Sequence, residues 1–157
     1  MYRMDHSNGP EYGSQVYWNV DNPVYPGNTG DDVRLIQYLL NYFEQSTGAS
    51  QLLVVDGIWG PLTSASMTRF ENNIDGHGLS VHDGFISPLP QGTVTIDWTQ
   101  RTIYKLAHLH WIYVSARVGK TPDAVSVDEI NETVTEMPEN SDCQPDLAAA
   151  LRRARGY

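Results

Sequence analysis

Val33, Ile36, Leu40 and Phe43 recur at intervals of three and four residues, the spacing that places side chains on one face of an α-helix. Leu39 widens the stripe. Asp31 and Asp32 suit the positive end of a helix dipole. Thr29 with Asp32 three residues on predicts a box-like cap, with Asp in place of the usual Glu. The helix should start near Asp31 and fade before Gly48. Gly60-Pro61 opens a second helix, because proline's missing N–H would be unpaired in a first turn anyway. Leu62, Ala65, Ser66 and Phe70 give its predicted buried face, and Asn72 to Gly78 its break. A third helix is predicted from a cap at Asp97 and Gln100 to about Arg117, before Gly119 and Pro122. Ile103, Leu106, His110 and Val114 share its inner face, with Ala107 beside them.

These stripes predict a mainly α, compact three-helix domain with a core of Val33, Ile36, Leu40, Ile58, Phe70, Ile103 and Leu106. Leu52 to Val55 reads as a brief extended segment entering a turn at Asp56-Gly57, where glycine accepts a backbone angle that other residues resist. Asp83-Gly84-Phe85-Ile86 echoes Asp56-Gly57-Ile58. Residues 1–21 are expected to form an irregular N-terminal extension, with Val16, Tyr17, Trp18 and Val20 as a short strand or packed arm. The helical domain then spans 22–118. Residues 119–157 are expected to be an acidic linker, loosely packed, followed by a last short helix over Asp146 to Arg155 with Gly156 as its stop.

Ten Lys and Arg stand against 19 Asp and Glu, a formal charge of −9, which argues against a nucleic-acid binder because phosphate contacts need clustered cations. The single cysteine, Cys143, excludes an intrachain disulfide and a cysteine-rich zinc site. No run of apolar residues is long enough for membrane insertion. Met1 to His6 lacks the apolar stretch of a secretory signal. The expectation is synthesis in the cytoplasm followed by delivery to the cell envelope or incorporation into a particle, the final location being open.

Pro23-Val24 ahead of Gly27, then Gly30, Val33, Ile36, Gln37 and Leu40, then Asp56-Gly57-Ile58-Trp59-Gly60, then Thr63, Ser66 and Phe70, form one ordered series. That series resembles the peptidoglycan-binding-type domain of bacterial and phage cell-wall proteins. Leu79 to Ile86 looks like the second Asp-Gly element of that family. Glu71 stands where the family commonly has Gln, and Ser66 where it has Ala. An acid at position 71, on an expected exposed edge, would weaken contact with the carboxylates of peptidoglycan stems.

The resemblance implies a non-catalytic module that binds peptidoglycan or its stem peptides and holds a partner or assembly against the cell wall. The alternative is a structural protein–protein component of a phage tail or contractile injection particle that reuses the fold. A metal-dependent wall peptidase is a second alternative, resting on His77 and His82 with Asp75 or Asp83. His108 and His110 are two apart, so on a helix they point to different sides. Cys143 has no flanking catalytic signature, and no Gly-x-Ser-x-Gly element occurs. The sequence thus assigns no catalytic residue, no metal ligand and no cofactor. The candidate ligand-binding residues are Arg34, Tyr38, Trp59 and Arg69, lining a groove between the first helix and the Asp56–Gly60 turn. Cations there suit carboxylates, and flat aromatics suit sugar rings or an apolar anchor.

Overall fold

The computed structural model describes residues 1–7, 14–75, 82–90, 104–121 and 124–155. Among them the chain is mainly helical, with one two-stranded sheet. Strands β1 (Tyr2–Ser7) and β2 (Ser14–Asn19) pair antiparallel, with Met4 opposite Tyr17 and Tyr2 opposite Asn19. The helices are α1 (Asp31–Ser46), α2 (Pro61–Asp75), α3 (Lys105–Val118), α4 (Val127–Thr135) and α5 (Pro145–Arg155), with a 3-10 turn at Met137–Glu139. Helix α1 packs against α2, α3 and α5, while α4 lies across β2 and α3.

The stripe on α1 is buried as its spacing requires: Val33, Ile36, Leu39, Leu40 and Phe43 all lie in the core. Phe70 of α2 and Leu106, His110 and Val114 of α3 join them. Ile58 does not; it is 58 % exposed, because Gly57 turns the chain and sends it outward. Leu62 and Ala65 also face solvent, and Met67 takes the inner position expected of them. Asn72 and Asn73 do not break α2, which runs on to Asp75. Thr29 is not the cap of α1. Gly30 occupies that position, with no side-chain cap bond, and its N–H donates to Gly57 O at 2.8 Å. Asp97, Gln100 and Ile103 lie outside the described residues.

The described residues among the first 21 are not irregular. The hairpin buries Val16, Tyr17, Trp18 and Val20 in the same continuous core as the helices. Nor do residues 124–142 form a loose linker. Ser126 caps α4 by a reciprocal box with Glu129, and Ile130, Val134 and Met137 are buried. Trp18 joins the two ends, its indole N–H donating to Val134 O at 2.8 Å.

His110 fastens the hairpin to α3. Its Nε2 accepts the Trp18 backbone N–H at 3.0 Å, and its Nδ1 lies 2.8 Å from Leu106 O, so the proton sits on Nδ1. Burial pushes its pKa down from 6.5 to about 4, against the smaller raising effect of the Leu106 carbonyl. In the window between those values the unfolded chain binds a proton that the folded chain refuses. The stability contributed by neutral His110 is therefore complete above pH 6.5 and lost as pH falls to 4. A depression of that size corresponds to about 3 kcal/mol. Chemical denaturation at pH 7 and pH 4 should show this loss, and His110→Gln should remove most of the difference between the two stabilities.

Candidate functional site

The Asp-Gly pairs at 56–57 and 83–84 form two turns built alike. In each the Asp Oδ1 accepts the N–H two residues on, from Ile58 at 2.9 Å and from Phe85 at 3.2 Å. In each the glycine has positive φ, 76° at Gly57 and 78° at Gly84, a region that glycine enters without steric cost. Each is tied to the N-terminal stretch by an antiparallel bridge, Thr29 with Ile58 and Val24 with Ile86.

Each turn is also clasped by a side chain from a preceding helix. Gln37 on α1 accepts the Gly57 N–H at 2.9 Å, while its amide nitrogen lies 3.0 Å from Ile58 O and 3.1 Å from both Asp56 Oδ1 and Thr63 Oγ1. Glu71 on α2 accepts the Gly84 N–H at 2.9 Å. The Glu71 carboxylate is buried, not on an exposed edge, and its charge is met by the Lys105 ammonium at 3.0 Å. Lys105 also donates to Asp83 and to Phe85 O, and it lies over the Phe85 ring. An acid at position 71 is therefore turned inward as a clasp.

The space between α1 and the first turn is filled. A Cβ on Gly57 would come within 3.0 Å of Gly30 O and 3.1 Å of the Arg34 guanidinium carbon. Among the four candidate ligand-binding residues, Arg34 lies here, paired with Asp31 at 2.8 Å and reaching Asp146 of α5 at 4.0 Å. Tyr38 is buried, and its hydroxyl donates to Asp142 at 2.8 Å. Tyr42 donates to the other oxygen of Asp142, and both rings pack on Tyr113. Burial first, then Tyr113, pushes the Tyr38 hydroxyl far above its ordinary pKa. Trp59 is buried as well, its indole N–H donating to Ser64 at 2.9 Å. Arg69 stays 55 % exposed and holds buried Glu44 at 2.9 Å. The four residues thus have four separate sets of partners, and only the two arginines present much side chain to solvent.

No family model, no curated protein and no solved structure matches this chain.

Two adjoining clefts open beside the N-terminus of α1. One, of about 380 Å³, is lined by Asn22, Pro23, Val24, Gly27, Asn28, Thr29, Asp32 and Val33. The other, of about 480 Å³, shares Thr29 and Asp32 and adds Asp21, Asp31 and Arg153. The first lies against the candidate Trp59, because Gly27 N–H donates to Trp59 O at 3.1 Å and Trp59 N–H to Asn28 O at 3.0 Å. Its lining of amides, a hydroxyl, small apolar groups and the Asp32 carboxylate suits a ligand rich in peptide N–H and acetamido groups.

Among the described residues no group of three His, Cys, Asp or Glu side chains is placed to hold a metal ion. His82 is exposed, and Asp83 is engaged by Lys105. His77 lies outside the described residues. No described helix is long and apolar enough to cross a membrane. The sequence reading places Glu71 on an exposed edge rather than in the site, and it lacks Lys105 and the Pro23–Val33 loop as a cleft wall. The Gln37 and Glu71 clasps leave a sequence trace, a polar residue directly after a buried apolar one, ahead of each Asp-Gly turn.

Proposed function

We propose that the chain is a non-catalytic binding module of the peptidoglycan-binding type, a compact helical scaffold that holds a partner or assembly against the bacterial cell wall. The observation that carries this reading is the paired construction of the Asp-Gly turns, clasped by Gln37 and Glu71 at the motif positions of the resemblance. Buried polar clasps of this kind make the motif a specification of backbone shape, and the loop so shaped walls the cleft beside Trp59. In this reading the wall ligand occupies that cleft, with Arg34 as the neighbouring cation and with Trp59 holding the loop through its backbone bonds to Gly27 and Asn28, whereas Arg69 serves Glu44 farther along α1 and Tyr38 is covered by Asp142. Cys143 offers no nucleophile, since burial and then Asp142 push its thiol up to about 11 and keep it protonated at neutral pH.

Sedimentation with purified insoluble peptidoglycan tests the reading. The chain should pellet with the wall material, and the Arg34→Ala variant, whose half-exposed partner Asp31 stays in water, should pellet several-fold less while remaining folded. One observation favours the second reading, a structural protein–protein role in a phage tail or contractile injection particle. The aromatic pair Tyr38 and Tyr42 is tied to Asp142 and so is covered by the chain's own C-terminal segment. A folded chain that stays in the supernatant even at low salt would decide for that second reading.

A further inference from the structure

Residues 52–55 run as an extended ribbon into the Asp56-Gly57 turn, and exposure alternates from 52 to 59. Leu52, Val54, Asp56 and Ile58 face outward, while Leu53, Val55, Gly57 and Trp59 are wholly or partly covered. Val54 is 75 % exposed and Leu62, one helical turn beyond Ile58, equally so. With Leu52 and Tyr25 these make up the exposed large apolar residues among those described. Such a concentration on one short ribbon marks an interaction site more often than a solvated surface.

The backbone of the ribbon has one edge taken and one edge open. The Asn41 side-chain amide bonds both backbone groups of Leu53, donating to its C=O at 2.9 Å and accepting its N–H at 2.8 Å. In an extended chain the N–H and C=O of neighbouring residues point to opposite edges, so those of Leu52 and Val54 point away from α1. Among the described residues no hydrogen bond reaches the backbone groups of Leu52 or Val54. An exposed strand edge with apolar side chains is a template for another strand.

The charge of the ribbon selects among occupants. Asp56 stands in the outward row, held ionised first by the Ile58 N–H and then by Gln37, both on Oδ1. Oδ2 therefore faces outward as an acceptor. A second copy would bring together two bodies of net charge −9. A cationic segment is complementary.

We propose that Leu52–Asp56 is a docking edge for an extended segment of a protein partner, with apolar side chains over Leu52 and Val54 and a lysine or arginine reaching Asp56. This inference rests on the reading of the chain as a binding module, and it supplies the surface by which the module carries its partner. Strand addition of this kind draws affinity from main-chain bonds and specificity from alternate side chains.

The test uses the full chain, isotope-labelled, and synthetic peptides of about eight residues, the length of an ordinary strand. The peptides alternate valine and threonine, with a central lysine in one and a glutamate in the other. The lysine peptide should bind, slow hydrogen exchange at the Val54 amide, and bind about tenfold more weakly to Val54→Pro, which removes the donor where no internal bond is lost. Asp56→Asn keeps the oxygen that receives Ile58 N–H and Gln37, and should abolish the preference for lysine over glutamate. Three results would overturn the proposal: no binding of either peptide, equal binding of both to the native chain, or dimerisation of the chain that itself protects Val54. Sedimentation with peptidoglycan is scored separately and should be unchanged in Val54→Pro. Loss of wall binding with retained peptide binding sinks the wall reading alone, and the converse sinks the docking edge alone.

Discussion

Trp18→Ala should lower the unfolding free energy by about 4 kcal/mol, the middle of the range for truncating a buried tryptophan. The side chain is fully buried, so its removal leaves a large void between hairpin and helices. It also strips the donor from Val134 O, leaving an acceptor unpaired in the core. The hairpin and α4, near opposite ends of the sequence, meet at this residue. A detachable arm would behave differently, since truncation there exposes little and loosens only the arm. Urea denaturation followed by tryptophan fluorescence and by far-ultraviolet circular dichroism checks this. One shared transition moved to lower urea supports a single cooperative body. A shift of less than about 1 kcal/mol, or two separate transitions, contradicts it.

Glu71→Ala should cost a similar amount, about 4 kcal/mol, for an electrostatic reason. Both members of the Glu71–Lys105 pair have nearly buried side chains. Removing the carboxylate strands the ammonium with only Asp83 and the Phe85 carbonyl, and it leaves the Gly84 N–H without its acceptor. Glu71→Gln keeps an acceptor for Gly84 and should cost less than half as much. Combining it with Lys105→Met, which removes the stranded charge, should recover most of the remainder. With Lys105→Met alone added, the native chain, Glu71→Gln and the double variant form a double-mutant cycle, and additive costs would show that the two side chains are not coupled.

The parts of the fold legible in the sequence are those where one physical rule acts alone. The large aliphatic and aromatic residues of the Val33–Phe43 stripe recur at helical spacing, so periodicity finds the helix, although Leu35 to Glu44 are buried on all its sides. The two Asp-Gly turns are found because positive φ restricts the choice of residue. The sequence predicts β2 only as a short strand or packed arm and misses β1 and their pairing, because Gln15 to Val20 are all buried, on both faces of the sheet, and a doubly covered strand shows no alternation. Helix α4 escaped because its acidic composition outweighed its cap, although Ser126 and Glu129 form the box that marks a helix start. Ile58 was assigned to the core from its place in the motif, but after the Gly57 turn it falls in the exposed row with Val54 and Asp56.

The candidate site was legible only in outline. Motif position drew attention to Trp59, and charge to Arg34 and Arg69. Whether an aromatic is exposed depends on what packs over it, and Tyr38 is covered by Asp142, more than a hundred residues away in sequence. Glu71 was placed at an exposed edge because acids are rarely buried. Its partner Lys105 lies on a different helix, at a distance in sequence that no local pattern spans.

Titrating the labelled chain with a soluble disaccharide–peptide fragment of peptidoglycan, followed residue by residue by amide chemical shift, tests the proposed function most directly. The account predicts saturable shifts grouped at Val24, Gly27, Asn28, Thr29 and Val33 and at the Trp59 backbone amide that bonds Asn28 O, with the Arg34→Ala variant needing several-fold more ligand. A folded chain whose amides in this loop stay unmoved at millimolar ligand, or whose shifts gather along Leu52 to Asp56 instead, would contradict it.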